Sequence, residues 1–362
     1  MQVINQLKKL SLTNYRNFEQ FNLEPNDNKI KLLVGDNGTG KTNILESISL
    51  LSPGRGLRFA KLEDICLNQK PWKINAHVEG KFGTASLISY FKSENNRKIV
   101  EFNGSIIPNN ELCKILNIVW LTTQMDYLFI ESAANRRKFF DRIVYNFHCN
   151  HANNLNKYEN YISQRNQALQ QDRVDNKLLD IIEQKLTNLA FDITSAKVNT
   201  MCKLQNAIDS LGDDFMKITL KIHGEIEEKI LAKYNKEEIC EFVLKRFNDM
   251  RNRDKISRRT NFGINKSDFT AIYNNKEAKF CSTGQQKSML ITIVFSQIIS
   301  IIENTNIAPI LLLDEVLTHL DSKARSSLLN ILLNLNVQTW ITTTDLNLIE
   351  IPHENFNIIN IL

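Results

Sequence analysis

The 362-residue chain has only six prolines and twelve glycines, and no internal repeat. Collagen-like and linker-like chains are thereby excluded. Its six cysteines, Cys66, Cys113, Cys149, Cys202, Cys240 and Cys281, are scattered without a CxxC pair. That spacing argues against a zinc site or a disulfide framework and fits a reducing compartment. The six histidines show no metal-ligand spacing either. Long apolar runs are also missing. The most apolar stretch, "MLITIVFSQIISII" (289–302), is too short for a bilayer and carries Thr, Ser and Gln. The opening "MQVINQLKKLSLTNYRNF" lacks the apolar core of a secretory signal. A cytoplasmic protein with no membrane partner is expected. A large excess of one charge is missing too, with 45 Lys and Arg against 40 Asp and Glu. The net charge of +5 permits a polyanionic partner without demanding one.

What is present is an ordinary globular composition, 42% hydrophobic and 23% charged, long enough for two or three domains. The first third reads as strands. "VINQLKKLSLTNYRNF" and "FNLEPNDNKIKLLVG" alternate or run apolar in short pieces. Residues 72–91 and 98–107 look like hairpins, with Gly83 and Asn103-Gly104 as turns. From about 131 to 260 the pattern turns helical. Between Leu178 and Leu204 apolar residues fall at 178, 182, 186, 189, 193, 196, 201 and 204, close to a helical period. With "NLNKYENYISQRNQALQ" before it and the loop "QQDRVDN" between, this predicts a short helical hairpin. After 265 strands and helices alternate again, beginning with a strand near 268–273. One α/β domain, residues 1–130 and 265–362, is therefore expected to be split by a helical insertion, residues 131–264.

"KIKLLVGDNGTGKTNILESI" holds GxxxxGK[ST] from Gly35 to Thr42, between an apolar strand and a helix. Gly35, Gly38 and Gly40 let backbone N–H groups turn inward on phosphate oxygens without a Cβ in the way. Asp36, Asn37 and Thr39 complete the loop, and the helix N-terminus adds positive potential. Lys41 would reach the β- and γ-phosphates, and Thr42 would place its hydroxyl on Mg²⁺. "PILLLDEVLTHLD" (309–321) reads as a buried strand delivering two acids at its tip. Asp314 would hold the Mg²⁺ shell through water. Glu315 would orient or deprotonate the attacking water. A second anion-facing helix start lies at "CSTGQQKSML" (281–290). There Ser282 and the N–H groups around Gly284 and Gln285 would hydrogen-bond a phosphate.

The segment Ser282-Thr283-Gly284-Gln285-Gln286 resembles the signature motif of ABC-type ATPases. The motif order fits: phosphate loop, Gln124 in "WLTTQMDYL" as a Q-loop, signature, Asp-Glu strand, and Leu320-Asp321 as a D-loop. Gln124 is thereby implied as a catalytic residue and Mg²⁺ ligand, and Asp321 as a nucleotide contact. In such ATPases the signature meets the γ-phosphate held by a second subunit, which implies an ATP-dependent homodimer. End to end, the chain further resembles the RecF family, related to the heads of chromosome-structuring (SMC-type) ATPases. The carrying stretches are "SLTNYRNFEQF", "LLVGDNGTGKTNILESI", "WLTTQMDYLFIESAANRRKFFDRIV", "YENYISQRNQAL", "CSTGQQKSML" and "PILLLDEVLTHLD". The resemblance implies an α/β ABC-ATPase head of P-loop NTPase type with an inserted α-helical lobe. It also implies ATP and Mg²⁺ as cofactors, and weak ATP hydrolysis that ends the dimer. The implied partners are duplex DNA, single-strand/double-strand junctions, and RecO- and RecR-type mediators at single-strand gaps. Two departures stand out. The family's Gly-Pro-His-Arg-Asp-Asp run is "GINKSD" (263–268) here, and "ITTTDLN" offers Thr344 where many ABC ATPases place a switch histidine.

Three cationic stretches are candidates for a nucleic-acid surface. "RFNDMRNRDKISRRTNFG" contributes Arg251, Arg253, Arg258 and Arg259. "NRRKFFDR" contributes Arg136 and Arg137, and "PGRGLRFAK" contributes Arg55, Arg58 and Lys61. In "NYRNF", Arg16 is placed to approach nucleotide phosphates or to sit in a plain edge strand. Two rival readings remain. The energy-supplying subunit of a membrane transporter would use the same motifs, but the basic insertion and missing switch histidine stand against it. A binding module with a structural nucleotide would have no need of Asp314-Glu315.

Overall fold

The fold is described from a computed structural model covering residues 2–171, 175–349 and 352–362. The chain divides into two compact units. One comprises residues 1–126, 211–215 and 290–362; the other comprises residues 127–210 and 216–289.

At the centre of the first unit is a five-stranded sheet, ordered Phe356–Asn360, Ile30–Val34, Thr339–Thr343, Ile310–Asp314 and Ile118–Thr122. Every neighbouring pair is parallel. Parallel strands covered on both faces run largely apolar. Ile310, Leu311, Leu312 and Leu313 are accordingly buried. The register aligns Asp314 with Thr122, Thr343 with Val34, and Val34 with Asn360. One edge of the sheet therefore gathers the carboxyl ends of all five strands, where open α/β sheets bind ligands.

A six-stranded antiparallel sheet completes the unit, ordered Phe18–Leu23, Gln6–Tyr15, Lys73–Gly80, Gly83–Lys92, Arg97–Phe102 and Ser105–Ile107. Both expected hairpin turns are present, with Asn103 and Gly104 at φ of 49° and 81°. Lys98, on one strand of this sheet, is buried and donates to the carbonyls of Leu50, Ser52 and Gly54 at 3.1, 2.9 and 3.2 Å. Burial pushes its amine down to about 7.

The second unit is built on helices Ala133–Tyr145, His151–Leu169, Asn176–Ser210 and Lys236–Asp249. The second and third pack together as the expected hairpin, and residues 172–174 of its loop lie outside the described set. The 35-residue helix spans about 52 Å. Its inward stripe runs through Leu179, Ile182, Leu186, Ala190 and Ile193. Leu178, counted above as part of that stripe, is instead 41% exposed. The unit is not purely helical. Thr219–His223 pairs antiparallel with Asp268–Tyr273, which in turn pairs with Lys276–Glu277. These strands lie in the second compact unit, which includes residues 216–289.

The apolar stretch 289–302 lies inside a longer helix, Thr283–Thr305. Among the described residues it is the one helix long and apolar enough, by length and composition, to cross a membrane. Its Met289, Leu290, Ile293, Val294, Ile298 and Ile301 are buried, as in a core helix. Cys66, Cys202, Cys240 and Cys281 are free thiols.

Candidate functional site

The loop from Gly35 to Gly40 joins the Ile30–Val34 strand to the helix Lys41–Ser49. Gly40 turns the chain at φ 110°. A Cβ there would come within 2.6 Å of the Phe18 ring and 2.8 Å of the Asn17 amide, so the position admits only glycine. Asn17 donates to the Thr39 carbonyl at 3.1 Å and accepts from the Asn43 amide at 2.7 Å. Arg58 donates to Asn43 at 2.8 Å. A line of side chains thus braces the loop from outside, and sequence reading found only its cation. Asp36, Asn37 and Gly38 are exposed at the crest. Lys41 folds its ammonium onto the Gly35 and Asp36 carbonyls, both at 2.7 Å, and so lies along the loop.

Asp314 ends its strand beside this helix. Its Oδ1 accepts from the Thr42 hydroxyl and from the Thr342 hydroxyl, each at 2.9 Å. Burial raises the Asp314 pKa above the ordinary range, against the lowering effect of those two hydroxyls. Thr342 also accepts from the backbone N–H of Glu315 at 2.8 Å. Glu315 sits in the left-handed region at φ 55°, unusual for a residue with a Cβ. One hydroxyl therefore fixes both acids. "ITTTD" held the signal: strand periodicity puts Thr342 and Thr344 on one face, and Thr344 is exposed just past the strand end. Gln124 lies exposed two residues beyond Thr122, the register partner of Asp314. Asp321 caps the helix Ser322–Asn334, accepting from the Ala324 N–H at 2.8 Å.

The carboxylate–hydroxyl set of Asp314, Thr42 and Thr342 is all oxygen, the donor chemistry of a hard divalent cation such as Mg²⁺. Among the described residues no group of three or more His, Cys, Asp or Glu side chains could hold a metal by itself. Such a cation would therefore need further oxygens from water or a ligand.

In the second unit, Ser282 opens the helix Thr283–Thr305 with a reciprocal cap. Its hydroxyl accepts from the Gln285 N–H at 3.3 Å, and its own N–H donates to the Gln285 side chain at 3.0 Å. Ser282, Thr283 and Gly284 are exposed. A Cβ built on Gly284 would meet no described atom within 4 Å. Nothing described in the chain itself requires glycine there.

Among the proposed cations, Arg136 forks onto Asp268 at 2.8 and 2.7 Å and also donates to the carbonyls of Phe129 and Glu131. Arg137 donates to the Ser267 carbonyl at 2.7 Å. Arg251 is held by Glu183 and Asp180. Arg136 and Arg251 are therefore internal struts rather than free surface charge, because carboxylates distant in sequence already neutralise them. Arg253, Arg258 and Arg259 are exposed, with no ion pair among the described residues. Arg16 forks onto the buried Glu46 at 2.7 and 2.6 Å, so it anchors the phosphate-loop helix.

A phosphate loop, a strand-end acid pair and a helical insertion on these sheets define an ATPase head of the ABC and SMC class. Residues 6–360 match the family model described as RecF/RecN/SMC N terminal domain. The chain belongs to the RecF family. It is 48% identical to the DNA replication and repair protein RecF of Rickettsia prowazekii over 347 residues, which is 95% of this chain and 96% of that protein. It is 46% identical to its counterpart in Rickettsia typhi over the same shares. Among solved structures, that of the recombination mediator protein RecF-ATP in the RecFOR pathway superposes with a TM-score of 0.87 at 24% identity, covering 97% of this chain and 95% of that one. The Smc head domain of Pyrococcus furiosus gives 0.52 at 15% identity, covering 99% and 93%.

Proposed function

We propose that the chain is an ATP-dependent DNA-binding protein that acts in recombinational repair and replication restart at single-strand gaps, with RecO- and RecR-type mediators. The observation that carries the nucleotide reading is the 2.9 Å bond from Thr42 to Asp314, which joins the phosphate loop to the strand-end acid. Gly35 to Thr42 enclose the phosphates, and Lys41 exchanges its loop carbonyls for phosphate oxygens. Thr42, Asp314 and Gln124 would hold the Mg²⁺ shell. Mg²⁺, when bound, neutralises charge on the phosphate oxygens. Glu315, fixed through its N–H by Thr342, orients the attacking water and takes its proton.

The Ser282-Gly284-Gln285 start, with Ser282 and Gly284 exposed and the glycine in open space, supports a docking role toward a triphosphate held by a second copy. Asp321 is proposed as a further nucleotide contact. ATP binding then closes a two-fold dimer on DNA, and slow hydrolysis opens it. By its motifs the head is formed by 1–130 and 265–362, with 131–264 as the inserted lobe, although residues 265–289 fold with the second compact unit.

Two measurements test this. ATP turnover is expected to be slow and to rise with duplex DNA. DNA affinity in ATP is expected to fall with salt at a log–log slope of about −0.9 per phosphate contacted. A chain that turns over no ATP, or whose ATP-bound form ignores DNA at low salt, would refute the proposal.

A further inference from the structure

The most elaborate buried polar network of the second unit lies behind a small basic turn. Arg165, fully buried, donates to Glu183 at 2.9 Å, to Asp254 at 2.7 Å, to Thr260 at 3.0 Å and to the Phe247 carbonyl at 2.8 Å. Asp254 also accepts from the backbone and side-chain amides of Asn261 at 3.0 and 2.9 Å. Arg251 adds its fork to Glu183. The backbone from Arg251 to Asn261 is thereby fixed from inside, and its one acid, Asp254, points inward.

What that backbone presents outward is uniform. Arg253, Lys255, Arg258 and Arg259 are all exposed, and Ile256 stands among them at 85% exposure. A lone exposed isoleucine means little by itself. Its setting is the observation: four cations with no partnering acid among the described residues, around one large apolar side chain, on a braced turn. Arg258 ends the short helix Arg251–Ser257 in the left-handed region at φ 55°, where glycine would be strain-free and a side chain is not. The turn keeps a cation where conformation favours glycine.

We infer that this turn is a contact for duplex DNA in which the four cations meet phosphates along the minor groove and Ile256 presses between adjacent base-pair steps. Charge complementarity selects a polyanion. The isoleucine is of no use to a contact made through phosphates alone. Apolar wedges flanked by arginine are a general way to unstack a step and bend a duplex. The inference rests on the DNA-binding reading above and adds a site, a groove and a deformation to it.

The test uses the full chain with ATP and a short duplex carrying 2-aminopurine, with a donor–acceptor dye pair at its ends. Binding is expected to raise 2-aminopurine fluorescence and shorten the end-to-end distance. Ile256→Gln, at an exposed position that leaves folding intact, is expected to lose both signals and to weaken binding roughly tenfold with the salt slope unchanged. The combined Arg253→Ala, Arg258→Ala and Arg259→Ala variant is expected to flatten that slope by about 0.9 for each phosphate lost. If the wild type binds duplex and Ile256→Gln matches it in affinity and fluorescence, the wedge is refuted while the DNA-binding reading stands. If the wild type binds no DNA, both fall together.

Discussion

Replacing Thr342 with valine removes one hydroxyl and almost no volume. That oxygen donates to Asp314 at 2.9 Å and accepts from the Glu315 N–H at 2.8 Å. A hydrogen bond to a charged group contributes about 1.5–3 kcal/mol, and an orphaned buried N–H costs about 1–3 kcal/mol. The two overlap at one atom, so a loss of about 3 kcal/mol is expected. That is a large share of the roughly 5–15 kcal/mol that holds a domain folded. The loss should depend on pH with a definite sign. Burial already places the Asp314 pKa above its unfolded value. In metal-free protein the group therefore contributes stability at low pH that is lost as pH rises through its folded pKa. Thr342 stabilises the ionised form, so the gap between variant and wild type should be widest above that pKa. It should narrow as acid protonates Asp314. Urea unfolding of both proteins without nucleotide, repeated from pH 4 to pH 8, measures this. ATP turnover should fall in the same variant, because Glu315 loses its backbone anchor. Equal midpoints at every pH would refute the relay.

Other changes probe other parts. Arg165→Met leaves Glu183 and Asp254 short of their shared partner, and a loss of about 3–5 kcal/mol is expected in urea unfolding. Adding Asp254→Asn should recover part of it; strict additivity would show that the two do not form one network. Gly284→Ala should leave the isolated chain as stable or a few tenths of a kcal/mol more so, since the added Cβ meets open space in a helix. The same change should weaken ATP-dependent association, because close approach to the partner's triphosphate is lost. Unaltered association would remove the reason for glycine there.

The parallel core was legible because its strands are buried on both faces. "IKLLV" and "ILLLD" are short, largely apolar runs; the first leads directly into Gly35 of the phosphate loop and the second ends on Asp314. The strand Thr219–His223 was missed for the opposite reason. It alternates, but over only five residues among helices, and it pairs with residues some 50 positions away. The cationic stretches were legible as charge but not as surface. Whether an arginine is a strut or a contact depends on carboxylates that folding brings near, Asp268 for Arg136 and Glu183 for Arg251. Thr342 was overlooked because its hydroxyl matters only through register, which sets it beside Asp314.

The most direct test of the two-copy nucleotide site is the mass of Glu315→Gln in solution by light scattering, with ATP and with ADP. Slowed hydrolysis should leave a long-lived dimer in ATP and a monomer in ADP. Ser282→Arg should bind ATP yet remain monomeric. A Glu315→Gln chain saturated with ATP that stays monomeric would contradict the shared site.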